Sequence, residues 1–323
     1  MFKFTIVITT YNRLSLLQRA IESALSQTLP CEVIVADDGS SDGTEAYIRS
    51  LGDRVVYHRN PVNLGHCATM NAAVRLAQGD WIKPIDDDDY LAPNCIEELT
   101  HAIARYPQAV LCSCQAIQVN EKGREITRTQ PISDAPIDYV PQSEIHYRML
   151  LEQLPFGTPV QVAFRKDAFC KSGGWDSSFE VNYDDIDSWV KIARYGDAIL
   201  VNQHLAYRTL WHQGNHLKFS LQQRLQKHIS IKEKIYRFVH PKYHHSLPPL
   251  QDIQDFLTLY WSLVGFKQGK FSDAFTLLFP ALFSRKAWQL LTQVIYARKF
   301  EQTSEQHCQE PMSKPMSLLP EIW

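Results

Sequence analysis

The sequence predicts an α/β protein, with a mixed, mostly parallel sheet flanked by helices and a helical extension at its C-terminal end. Two observations carry this. Through residues 1–110, β-branched apolar runs suited to buried strands alternate with apolar residues at helical spacing, the pattern of strands joined by right-handed crossovers. From 221 to 299 the chain reads instead as basic helices with apolar clusters.

In order, residues 4–9 form a β-branched run. Leu14, Leu17, Ile21, Ala24 and Leu25 then repeat at helical spacing until Pro30. A short strand is expected over 32–37, followed by a tight turn at 38–43 whose Asp42 can cap a helix running through Arg49. A strand over 55–58 leads to the Asn63-Leu64-Gly65 turn and a helix over 68–77. Trp81, Ile82, Pro84 and Ile85 make a fourth strand, and a helix over 95–106 starts behind Pro93. Regularity then loosens. A strand is expected over 110–119, a polar loop over 120–143 and a strand over 159–164. Gly173-Gly174-Trp175 breaks the chain before a helix over 184–195, whose acidic first turn suits the helix dipole. Later apolar clusters fall at 256–264, 275–283 and 288–295.

The 323 residues are enough for one large domain or two modest ones, and 45% apolar with 21% charged residues is ordinary for a soluble protein. The net charge of −2 hides an asymmetry: residues 1–217 hold 19 Lys and Arg against 27 Asp and Glu, and residues 218–300 hold 13 against 4. An acidic front joined to a basic back suggests two functional surfaces and disfavours nucleic acid. Seven scattered cysteines without a CxxC pair disfavour zinc and point to a reduced compartment. No apolar run approaches 18 residues, so no transmembrane helix is expected. The chain opens straight into a strand with only Lys3 as a basic residue before it, so no signal peptide is expected. A cytoplasmic location is the expectation.

Three strand ends carry candidate chemistry. Asp86, Asp87, Asp88 and Asp89 follow the fourth strand directly. Carboxylates so close raise one another's pKa unless a cation or solvent relieves them, and a hard divalent ion that also holds phosphate oxygens fits them; a solvated loop capping the next helix is the alternative. Thr9-Thr10-Tyr11-Asn12-Arg13 ends the first strand with groups that can stack on and hydrogen-bond a base, or simply form a turn. Asp37-Asp38-Gly39-Ser40 ends the second, where a carboxylate can meet a pyrimidine imide or cap a helix. Open α/β sheets place ligands at this carboxyl edge.

Thr-Ile-Val-Ile-Thr-Thr-Tyr-Asn-Arg, Val-Ile-Val-Ala-Asp-Asp-Gly-Ser-Ser-Asp-Gly-Thr, Asn-Leu-Gly, Gly-Asp-Trp-Ile and Ile-Asp-Asp-Asp-Asp-Tyr-Leu-Ala-Pro together resemble the family-two inverting glycosyltransferases over about residues 3–217. The resemblance implies the GT-A fold, a nucleotide-sugar donor with UDP the first choice, and a divalent ion, Mn2+ or Mg2+. It implies that Thr9, Tyr11 and Asp38 hold the nucleobase, that Asp86 and Asp87 lie near ribose and phosphate, and that Asp88 is the metal ligand of the Asp-x-Asp motif. Tyr183-Asp184-Asp185-Ile186-Asp187 resembles the acceptor-side motif, with Asp184 in place of its glutamate and Asp185 at the catalytic base. Tyr207-Arg208 and His212 resemble the segment that returns to the donor phosphates, with His212 as a further metal or pyrophosphate contact. The family often has arginine where this chain has Met70, which leaves Arg13 or His66 to help neutralise the diphosphate.

The implied organisation is a catalytic domain over 1–217, with a nucleotide-sugar half at 1–110 and an acceptor half at 111–217, then a basic helical extension over 218–300 and a flexible tail over 301–323. The implied reaction is sugar transfer, with inversion, to a glycan or lipid-linked acceptor in polysaccharide, glycolipid or glycoconjugate synthesis. The Gln-x-x-Arg-Trp motif of processive synthases is absent, which favours single addition. Two rivals stand beside this reading: a non-catalytic nucleotide-sugar-binding protein, and a nucleotidyltransferase, which would show a basic Gly-rich loop after the first strand. Residues 218–300 would pack on the catalytic domain, on a second copy as a homodimer, or, through Lys267, Lys270, Arg285, Lys286, Arg298 and Lys299, on the inner face of a membrane as a peripheral contact.

Overall fold

The strands grow from the β-branched runs. In a computed structural model that describes residues 2–179, 183–211 and 219–292, ten strands form one sheet: β1 (Phe4–Thr10), β2 (Glu32–Asp37), β3 (Val56–Arg59), β4 (Trp81–Asp86), β5 (Tyr90–Leu91), β6 (Ala109–Val119), β7 (Glu125–Arg128), β8 (Ile137–Val140), β9 (Val162–Arg165) and β10 (Asp197–Thr209). Their order is β3-β2-β1-β4-β9-β6-β10-β5, with β7 beside β6 and β8 beside β10. β1, β2, β3 and β4 pair in parallel, and so do β6 and β10. Because β9 runs antiparallel to both β4 and β6, β6 and β10 point the same way as β1. The sheet is therefore mixed and mostly parallel: six strands share one direction, and only the short β5, β7, β8 and β9 run against it.

The described helices are α1 (Leu14–Leu25), α2 (Thr44–Ser50), α3 (His66–Leu76), α4 (Cys95–Arg105), α5 (Gln142–Leu150), α6 (Lys166–Ser172), α7 (Asp184–Ile192), α8 (Leu221–Phe238), α9 (Leu250–Lys267) and α10 (Phe271–Ala281). α1 turns Leu17, Ala20, Ile21 and Ala24 onto the sheet, where Ile6, Ile8, Val35 and Trp81 are also buried. Each such large apolar side chain contributes about 1.5–3 kcal/mol by leaving water. Lys83, mid-strand in β4, is fully buried. Its ammonium donates to the carbonyls of Pro159, Val160 and Val162, so the buried charge is met by backbone dipoles.

Several expectations need correction. The polar loop over 120–143 holds β7 and β8, two short strands that pair with β6 and β10; β7 is exposed throughout, and β8 is only four residues long, too short for its buried Val140 to stand out as a pattern. β10 is among the longest strands, yet Asn202, Gln203 and His204 interrupt its apolar run where its register with β6 shifts. α2 starts behind Gly43, which takes a left-handed conformation. Gly43, not Asp42, is the cap residue; Asp42 stands one position earlier, accepts from the Thr44 amide and hydroxyl, and also accepts from the Leu14 amide at the start of α1.

The chain divides into two compact units, one drawn from residues up to 145 and from 156–215, the other from 146–155 and from 216 onward. Residues 146–155 thus join the helical unit rather than the sheet. In that unit Ser220 and Gln223 form a reciprocal cap on α8. The segment 301–323 lies outside the described residues.

Candidate active site

Parallel register sets the site. Thr9 on β1 stands opposite Asp86 on β4, and Thr10 opposite Asp37 on β2, so three strand ends meet at one carboxyl edge. The Thr10 hydroxyl donates to Asp87 Oδ2 at 2.8 Å. Arg13 Nη1 lies 3.1 Å from both Asp87 Oδ1 and Asp88 Oδ2. The Thr209 amide donates to Asp89 Oδ1 at 2.7 Å, which ties the end of β10 to the same edge. Asp89 Oδ1 therefore helps to join strands.

Asp38 is buried, and its own chain already occupies both oxygens: Oδ1 accepts from Asn60 and the Leu64 amide, and Oδ2 from the Gly65 amide. It builds the Asn63-Leu64-Gly65 turn. Gly39 beside it has φ of +84°, and a Cβ there would lie 3.0 Å from the Val62 carbonyl carbon, so glycine is required. Tyr11 is 46% exposed on the rim, where its ring is open to a ligand.

The turn delivers His66 to the start of α3. Its Nε2 lies 3.1 Å from Asp86 Oδ1 and 3.1 Å from Thr9 Oγ1, and its Nδ1 lies 3.2 Å from Asp184 Oδ2. Burial disfavours a charged imidazole, but the hydrogen bonds to Asp184 and Asp86 outweigh it and hold the His66 pKa well above its ordinary value. One side chain thus spans residues 86 and 184. Asn71 reinforces the crossing, donating to the Trp175 carbonyl and accepting from the Trp175 amide. The neighbouring Met70 is fully buried in the core.

Asp185 sits in the first turn of α7, with its Oδ1 accepting from the Ile186 amide. Burial, then the charge of Asp184, then that of Asp86 push its pKa up to about 7, against the pull of Arg208. Asp87 also rises to about 7, by burial and by Asp88, although Arg13 opposes the shift. Burial and Asp86 raise Asp88, and burial with Asp88 raises Asp89 further. Asp86 goes the other way: burial works against its charge, but His66 holds it down.

Carboxylate oxygens of Asp86, Asp88 and Asp89 lie within 4.8 Å of one another. This is a hard-oxygen donor set with excess negative charge, which fits a divalent cation. Each already has a partner on one oxygen: Asp86 Oδ1 meets His66, Asp88 Oδ2 meets Arg13 and Trp211, and Asp89 Oδ1 meets the Thr209 amide. Thr9, Arg13, Asp86, Asp87, Asp88 and Asp185 surround one edge, with Tyr11 on its rim and Asp38 beneath its turn. His212 lies outside the described residues.

Two residues at this site have no sequence signal that would have singled them out. Trp211 Nε1 donates to Asp88 Oδ2 at 2.7 Å. Arg19 donates to the Asp88 carbonyl and to Thr209 Oγ1, and its guanidinium lies 4.4 Å from the Tyr90 ring centroid. Both depend on β10 meeting distant segments, the turn after β4 for Trp211 and α1 for Arg19, which no local motif encodes.

The chain is 28% identical over 228 residues to protein CgeD of Bacillus subtilis, a match covering 64% of this chain and 50% of CgeD. The match therefore spans only half of that relative's length. Among solved structures, S. aureus TarS 1–349 in complex with UDP superposes with a TM-score of 0.60 at 16% identity, covering 93% of this chain and 88% of that one. The mannosyltransferase PcManGT from Pyrobaculum calidifontis, in complex with GDP-Man and Mn2+, superposes with a TM-score of 0.59 at 20% identity, covering 94% and 83%. The fold is GT-A. The family model described as glycosyl transferase family 2 matches residues 5–173, ending ahead of Asp185. With more than half of its length so matched, the chain belongs to glycosyl transferase family 2.

Proposed function

We propose that the protein is an inverting, metal-dependent glycosyltransferase, moving a sugar from a nucleoside-diphosphate donor to an acceptor hydroxyl. The observation that carries this is the His66 bridge, 3.1 Å from Asp86 and 3.2 Å from Asp184. It puts a donor-side carboxylate and the acid pair of α7 at one edge, as a displacement needs with nucleophile and leaving group on opposite faces of one carbon. A uridine-linked donor is the first choice, because the TarS neighbour holds UDP; guanosine is the second, from GDP-Man in PcManGT.

In this reading Tyr11 stacks on the base and Thr9 lines its pocket, while Asp38 holds the turn beneath it and keeps one lone pair on Oδ2 for the base. Asp87 and Arg13 lie toward ribose and phosphate. Asp88 and Asp86 would hold Mn2+ or Mg2+, which when bound offsets charge on the diphosphate. Asp185 takes the proton of the acceptor hydroxyl as its oxygen bonds to the anomeric carbon. The bond from that carbon to the diphosphate breaks, and its electron pair leaves with the nucleoside diphosphate. A group with a pKa of about 7 is well placed for this proton transfer. The acceptor is a glycan or lipid-linked hydroxyl.

The test is a panel of UDP- and GDP-sugars with Mn2+ or Mg2+, following release of nucleoside diphosphate. One donor should be turned over, and chelation should abolish release. Binding of a donor with no turnover toward any acceptor or water would favour the non-catalytic alternative.

A further inference from the structure

Helix α10 in the helical unit is built the wrong way round for a water-facing helix. Its fully buried positions are the small Ala274 and Ala281, and α9 approaches closely enough that a Cβ on Gly265 would lie 3.0 Å from the Ala274 Cβ. Its phenylalanines face out, while Leu277 and Leu278 are half-buried. Phe271, Phe275 and Phe279 are 60%, 63% and 72% exposed, and Phe283 in the turn behind is 81% exposed. A four-residue spacing aligns side chains in one ridge along a helix. Phe266 packs edge-on against Phe275 at 4.9 Å and tilted against Phe271 at 6.3 Å, which steadies the ridge from its α9 side. Contiguous exposed apolar surface of this kind marks an interaction site in soluble proteins.

We propose that this ridge docks on an anionic lipid surface, lying in the plane of the interface. Charge selects that occupant. From 256 to 292 the chain carries Lys267, Lys270, Arg285 and Lys286 against a single acid, Asp273. The basic residues bracket the ridge, two before Phe271 and two after Phe283. Phenylalanines that enter the boundary between headgroup and acyl chain, with cations at the phosphates on either side, are the signature of an interfacial helix. A second copy docked ridge to ridge would bring like charges together. No helix among the described residues is long and apolar enough to cross a membrane, so the contact is peripheral. This inference rests on the helical unit alone and stands apart from the proposed reaction.

The test is co-sedimentation of the full chain with phosphatidylcholine vesicles, with and without phosphatidylglycerol. The protein should bind the anionic vesicles and release them as salt rises. Phe275→Glu with Phe279→Glu should weaken binding by about tenfold or more. Arg285→Glu with Lys286→Glu, which alters exposed charge only, should weaken it by a similar factor. Circular dichroism melts and gel-filtration volume should match the parent in both variants. Absence of binding, or equal binding to both vesicle types, would overturn the proposal. So would a lipid-free dimer that the Phe275 and Phe279 changes dissociate, because the occupant would then be a second copy.

Discussion

Each unit buries a cluster of ionisable side chains, and the two clusters are balanced in opposite ways. In the helical unit, Lys232 Nζ lies 2.6 Å from Glu152 Oε1, with His228 Nε2 at 3.6 Å. Lys232 also donates to the carbonyls of Met149 and Leu150. Burial would raise Glu152, but Lys232 and His228 outweigh it and hold its pKa down to about 2. That cluster is closed. At the sheet edge, Asp86, Asp87, Asp88, Asp89, Asp184 and Asp185 face mainly Arg13, His66 and Arg208, and two of the acids are pushed up to about 7. A balanced buried cluster holds a fold together, whereas a surplus of one sign at a ligand edge leaves a demand that a cation and substrate can meet.

The largest effect that would break this contrast is at Asp185. Asp185→Asn should lower turnover by about 10²–10⁴-fold, the usual worth of a positioned general base. It removes a repelled carboxylate, so the melting temperature should hold or rise, and donor binding should persist. Turnover within a few-fold of the parent would take Asp185 out of the reaction.

The opposite outcome belongs to Lys232. Lys232→Met strands a buried carboxylate and should cost about 3–5 kcal/mol of stability, read by chemical denaturation of the helical unit. Adding Glu152→Gln should recover much of that loss, since the uncompensated charge is gone. A Lys232→Met variant as stable as the parent would mean that the pair contributes nothing to the fold.

The same contrast decides what the sequence could reveal. β1, β2 and β4 were legible because their apolar runs are buried on both faces, and β2 matches its expected bounds of 32–37. The strand-end acids were legible because parallel strands deliver their C-terminal residues to one edge. β7, β8 and the polar middle of β10 were hidden, since edge pairing needs no apolar pattern. Asp38 reads as a ligand group, and only the fold reveals that it also accepts from Asn60, Leu64 and Gly65 to build the turn. Glu152 and Lys232 are 80 positions apart on segments without a shared motif, so their pairing could not be read at all.

The gentlest probe is pH. An ordinary aspartate near 3.8 would be ionised throughout pH 5–8, and a rate that depended on it would be flat there. Asp185, raised to about 7 by burial and by Asp184 and Asp86, should give kcat/KM that falls about tenfold per unit below that value and levels above it, because only the carboxylate accepts the proton. Unfolding is not the cause on this group's side. An acid whose folded pKa exceeds its unfolded one stabilises the fold as pH drops from about 7 toward 3.8, and loses that contribution as pH rises again through 7. In Asp185→Asn the residual rate should be flat across the same window. A limb that survives in that variant would move the titration to Asp87, the other carboxyl lifted to about 7, and with it the imbalance that controls the rate would lie at the end of β4 rather than on α7.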